Sequence, residues 1–105
     1  MGLEARSGPQ ARAIAMIKGA VQQVADRDGL VTPNSEAQMQ KAVDLLRFNR
    51  SDPALLKSAE TLSCAFFEMG GFLREGRIDA YVSRALRVRE LLDSIPSDRH
   101  HKVLE

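Results

Sequence analysis

Three prolines divide this chain into helices. Pro9, Pro33 and Pro53 follow Gly8, Thr32 and Asp52, and each precedes a run in which apolar residues recur every three or four positions. Proline has no backbone N–H and a fixed φ, so it is tolerated in the first turn of a helix, where that donor has no partner anyway, and it disrupts a helix interior. Thr32 and Asp52 are good N-caps, and Glu36 is favourable near the positive end of its helix dipole. The punctuation predicts an all-α chain of four helices at about 9–27, 33–49, 53–74 and 78–95, packed as a compact bundle that is expected to dimerise.

The stripes agree with the punctuation. Ile14, Ile17, Val21 and Val24 mark the first helix, with Gly29 expected to supply its left-handed stop, and Met39, Ala42, Val43 and Leu46 mark the second. In the fourth, Ile78, Tyr81, Ala85, Val88, Leu92 and Ile95 form the expected core stripe, and Val82 and Leu86 form a shorter outward row. No alternating run or hairpin signal suggests a strand. At 105 residues the chain is expected to be a single domain with flexible ends at about 1–7 and 97–105.

The third helix is richer in apolar residues than one small core requires. At roughly 100° per residue, Leu55, Ala59, Leu62, Phe66, Met69 and Leu73 form a straight stripe, flanked by Leu56 and Phe67 on one side and Ala65 and Phe72 on the other. A central helix touching two neighbours needs rows on two sides, and burial between chains would use the same rows. Leu56, Phe67, Phe72, Val82 and Leu86 are the candidate partner-binding residues, because exposed apolar patches mark interaction sites and aromatic anchors tend to carry interface energy. Gly70-Gly71 interrupts the helix: either it breaks there or the glycines permit a close approach. A continuous but weakened helix reaching Gly76 is the expected outcome, since each glycine costs about 1 kcal/mol relative to alanine.

Charge and chemistry narrow the function. Fifteen basic residues stand against fourteen acidic ones, interspersed, without the concentrated positive field that nucleic acid or an anionic membrane attracts. The arginines from Arg74 to Arg89 are interleaved with acids, some at helical spacing, such as Arg89 with Asp93. There is no phosphate loop, metal-ligand spacing or nucleophile elbow, so an enzyme is not expected, nor a cofactor or metal. His100 and His101 are adjacent in the polar tail, and Asp26-Arg27-Asp28-Gly29 lacks the ligand register of a calcium loop and reads as a helix stop. A single cysteine, Cys64, excludes an internal disulfide, is expected to be a small packed side chain, and fits a reducing, cytoplasmic setting. No run approaches the ~20 apolar residues of a membrane span, and Met1–Arg6 is too charged to read as a signal peptide.

Two resemblances follow. Glu75-Gly76-Arg77-Ile78-Asp79-Ala80-Tyr81 with Arg84-Ala85-Leu86 resembles the turn and second helix of a tetratricopeptide hairpin, but its glycine spacing differs and no second copy is present, as a repeat fold requires. The four-helix organisation, the balanced charge and the segment from Leu55 to Gly71 are similar to the QslA-type quorum-sensing antiactivators. That resemblance implies a helical homodimer that binds a LuxR-type transcription factor of the LasR kind, covers its dimerisation surface and prevents it from binding DNA, without contacting nucleic acid or membrane itself. The alternative is a self-associating helical adaptor or structural protein with no transcription-factor target.

Overall fold

The computed structural model describes residues 2–49 and 52–95, which form four α-helices and, among the described residues, no strand. They are α1 (Gly2–Asp26), α2 (Pro33–Phe48), α3 (Pro53–Arg74) and α4 (Ile78–Asp93). The expected starts at Pro33, Pro53 and Ile78 coincide with the observed ones. The first helix differs: helical backbone precedes Pro9, and non-helical geometry at Gly8 (φ 30°, ψ −179°) separates it from the expected segment. Proline disfavours α geometry in the residue before it, which puts the break at Gly8. The expected tail at 97–105, with His100 and His101, lies outside the described residues.

Local chemistry accounts for the helix ends. The Thr32 hydroxyl accepts from the Ser35 amide at 3.1 Å, and the Thr32 amide donates to Ser35 Oγ at 3.1 Å, a reciprocal capping box with serine at the third helical position. Asp52 Oδ1 accepts from the Ala54 amide at 3.3 Å. The α3 stop is a Schellman turn: Arg77 N–H donates to the Phe72 carbonyl (2.9 Å), Gly76 N–H to the Leu73 carbonyl (3.1 Å), and Gly76 adopts φ 75°. The α1 stop has the same bonding with different residues in the key position. Gly29 N–H reaches the Val24 carbonyl (2.8 Å), which puts Asp28, at φ 57°, in the left-handed position expected for Gly29. Gly29 follows with its own positive φ of 91°. Aspartate is among the few residues that tolerate left-handed backbone.

Successive helices run antiparallel. Between α1 and α2, Gln38 Nε2 donates to the Met16 carbonyl and Asn34 Nδ2 to Gln23 Oε1; between α2 and α3, Arg47 pairs with Glu60 and Arg74 with Glu36; between α3 and α4, Arg84 pairs with Glu68. The α1–α2 and α3–α4 hairpins are each closely packed and meet mainly through α2 and α3, whereas α1 and α4 make only marginal contact. One apolar core joins Ile14, Ile17 and Val24 with Met39, Val43 and Leu46, and with Leu55, Leu62, Phe66 and Met69. The fourth helix adds only Val88, with Ile95 just beyond its end. Tyr81, Ala85 and Leu92 are half-buried, and Ile78, expected in the core stripe, is 55% exposed. With one close neighbour instead of two, α4 has nothing to cover its outer side.

The third helix is continuous through Gly70-Gly71, and its two glycines differ. A Cβ at Gly70 would lie 2.9 Å from Glu36 Oε2 and 3.0 Å from Val31 Cγ1, whereas one at Gly71 would meet nothing within 4 Å. Gly71→Ala should therefore stabilise the fold by about 1 kcal/mol through helix propensity alone. Gly70→Ala should bring no net gain, because crowding against Val31 offsets it. Urea unfolding of the two variants checks this, and equal gains would refute the close-approach role of Gly70.

Candidate interaction groove

The surplus apolar surface of α3 is mostly taken up within the chain. Leu56 is half-buried against the core, and Phe67 is half-buried with its ring edge-on to buried Phe66 (centroids 6.4 Å apart, planes at 87°). Phe72 is half-buried under two guanidinium groups, Arg77 at 4.9 Å and Arg84 at 6.0 Å from its ring centroid. The other two candidates, Val82 and Leu86, are 48% and 60% exposed. The structure thus separates the five residues into a covered group on α3 and an open pair on α4.

Val82 and Leu86 border a groove of about 600 Å3 where α1 and α4 diverge. Lys18, Val21, Gln22 and Ala25, spaced on one face of α1, form one wall; Tyr81, Ala85, Arg89 and Leu92 belong to the other, with Val24, Met69 and Val88 also contributing. Because α1 and α4 are antiparallel, the end near Gly29 and Tyr81 is mainly apolar, and the end near Lys18, Arg89 and Asp93 is charged. Leu30 (56% exposed) follows Gly29 directly, and Ile78 lies one helical turn before Val82. Of the five exposed large apolar residues, Val82 and Leu86 line this groove, Ile78 lies a turn before them on α4, Leu30 lies in the turn after Gly29, and Phe48 sits at the far end of α2. Sequence reasoning missed Leu30 and Phe48, and it placed Ile78 in the core stripe, because periodicity shows which face is apolar without showing how many neighbours that face will have.

One polar tie crosses the apolar end. The Tyr81 hydroxyl donates to the Gly29 carbonyl at 2.6 Å, and burial raises the phenol's pKa above its usual value. The folded state therefore holds the phenolic proton to a higher pH than the unfolded chain does. That contribution to stability is complete below about pH 10, the unfolded value, and is lost as pH rises through the folded pKa. Tyr81→Phe should cost about 1 kcal/mol at neutral pH by removing the hydrogen bond, and it should flatten the loss of stability above about pH 10. Urea titrations from pH 8 to 11, compared with wild type, measure both effects.

Cys64 differs from its expected packed state. It is exposed, four residues from both Glu60 and Glu68, and it shares a shallow depression between α3 and α4 with these two acids, Arg84 and Arg87. Its helical position, in line with those acids, puts it on the solvated side of α3. The Arg89–Asp93 pair expected from spacing does not form. Among the described residues Arg87 pairs with Glu90 and Arg84 with Glu68, while Arg89 has no ion-pair partner. The described residues contain no group of three or more His, Cys, Asp or Glu able to hold a metal ion, and none of their helices is long and apolar enough to cross a membrane. Comparisons with known protein families, with curated proteins and with solved structures found no match to this chain.

Proposed function

We propose that this chain is a small protein-binding regulator, an antiactivator that binds a LuxR-type quorum-sensing transcription factor, blocks its dimerisation and so keeps it off DNA. The observation that supports this reading best is the exposed row Ile78, Val82 and Leu86 on α4, of which Val82 and Leu86 line the open α1–α4 groove. Occlusion of a dimer surface needs an apolar helical face and a shaped recess, and contiguous exposed apolar residues are unfavourable on a chain that meets nothing. In its free form the chain is a cytoplasmic homodimer that buries part of this row, and it exchanges that self-contact for the regulator. The exchange depends on concentration, because dissociation of the dimer subtracts from the affinity.

Size-exclusion chromatography of the chain mixed with a purified LuxR-type regulator should show a mixed complex, and the regulator should stop shifting its operator fragment. A regulator dimer of unchanged mass that still shifts DNA would refute the reading. Val82→Glu and Leu86→Glu should each weaken the complex by at least about tenfold, since a charge is then buried against an apolar surface. Both side chains are open to solvent in the monomer, so thermal unfolding at dilutions where the chain is monomeric should barely change. Phe67→Glu is a poor probe of the surface by comparison, because Phe67 is half-buried with its ring against Phe66.

The second reading, a self-associating adaptor, has one observation in its favour: Phe48 is 84% exposed, far along α2 from the groove. Two separated apolar contacts suit head-to-tail assembly. Molar mass measured over a range of concentrations decides between the readings, since an adaptor of this kind grows beyond a dimer and Phe48→Ala stops that growth.

A further inference from the structure

We infer that the α1–α4 groove receives an acidic amphipathic helix from the partner, with its acidic end at Lys18 and Arg89; this rests on the reading of the chain as a protein-binding regulator. The groove has the shape for such a segment. Its walls are two helices that barely touch, and the α4 wall from Tyr81 to Asp93 spans about 18 Å at 1.5 Å per residue, the length of about three helical turns. Its floor of Val24, Met69 and Val88 is apolar, as is its rim at Val82 and Leu86. A helix with apolar residues at every third or fourth position fits this surface as the missing neighbour of α1 and α4.

Charge sets the orientation. Of the five arginines from Arg74 to Arg89, four form ion pairs within the chain: Arg74 with Glu36, Arg77 with Glu75, Arg84 with Glu68 and Arg87 with Glu90. Arg89, the one that lines the groove, has no ion-pair partner among the described residues although Asp93 is only four positions away, and Lys18 on the opposite wall has none either. The groove therefore presents two cations from two different helices at one end, with Asp93 as the only acid lining it. Carboxylates in the last turn of an entering helix would meet both cations, and the negative end of that helix's dipole would add to the attraction.

The test uses the full chain and two labelled synthetic peptides of about 14 residues, each with leucines on one helical face. One ends in a turn carrying two glutamates, and the other has lysines in their place. Fluorescence anisotropy, at protein dilutions where the chain is monomeric, should show the acidic peptide binding at least about tenfold tighter than the basic one, with the difference shrinking as salt is raised. The double variant Lys18→Glu/Arg89→Glu should reverse the preference, Lys18→Gln/Arg89→Gln should abolish it, and Leu86→Glu should weaken both peptides. Circular dichroism confirms that each variant is folded. Equal binding of the two peptides, a preference unmoved by the charge variants, or no binding of either peptide to the monomer would overturn the inference. The regulator mixture is scored separately: a regulator complex insensitive to Lys18 and Arg89 overturns the inference alone, whereas peptide selectivity without any regulator complex refutes only the choice of regulator.

Discussion

Phe66→Ala should cost about 3–5 kcal/mol of unfolding free energy, the range for removing a fully buried aromatic ring and leaving a cavity. Phe66 is the largest of the completely enclosed side chains, it sits on the helix that joins the two hairpins, and it supports the ring of Phe67. A domain of this size has about 5–15 kcal/mol of stability in total, so the variant should lie near its unfolding limit. Urea unfolding should show a much lower midpoint with a similar slope, and Phe66→Leu should recover most of the loss. Phe48→Ala is the contrasting case. Its ring is almost fully solvated, and the change should stay within about 0.5 kcal/mol. Similar losses at the two phenylalanines would contradict the core described above.

Gly29→Ala should have the second-largest effect, about 2–3 kcal/mol, from two additive causes. Alanine is strained at φ 91°, and its methyl carbon would lie 2.7 Å from Tyr81 Oη, breaking or displacing the bond that ties α4 to the α1–α2 turn. Removing the hydroxyl isolates the second cause. In a Tyr81→Phe background the same glycine substitution should cost about 1 kcal/mol less, and a double-mutant cycle measures that coupling. Strict additivity would mean that the strain is purely local and that the hydroxyl is not crowded.

How much was legible in the sequence depends on how local the governing chemistry is. The starts at Pro33 and Pro53 are set by proline geometry and by the hydroxyl or carboxylate just before it, all within five residues, and they were readable to the residue. The α1 stop was readable as a stop and Gly29 does have positive φ, but Asp28 before it holds the Schellman position, because the bonding pattern counts back from Gly29 N–H to the Val24 carbonyl and composition does not show that register. The site was legible only in part. Val82 and Leu86 stood out as an outward row, yet the surface excess assigned to α3 is absorbed by Phe66, by the core and by the guanidinium groups over Phe72. The α1 wall was hidden. Val21 belongs to a stripe that reads as core, and it lines a groove only because α4 stays away from α1, a long-range outcome that no window of one helix contains.

The marginal contact between α1 and α4 also sets how order is distributed through the molecule. Each hairpin is closely packed, whereas the seam between the hairpins rests mainly on α2 and α3, with Val88 and Ile95 entering the shared core from the α4 side and one phenol hydrogen bond tying Tyr81 to Gly29. Local opening costs least where the fewest apolar contacts are lost, so amides on the side where α1 and α4 barely meet should exchange before those of the α2–α3 seam. Val82 and Leu86 thus lie on a segment that has one close neighbour and an open outer side. Whatever fills the groove also fastens that segment, and the entropy of holding it still is subtracted from the binding free energy.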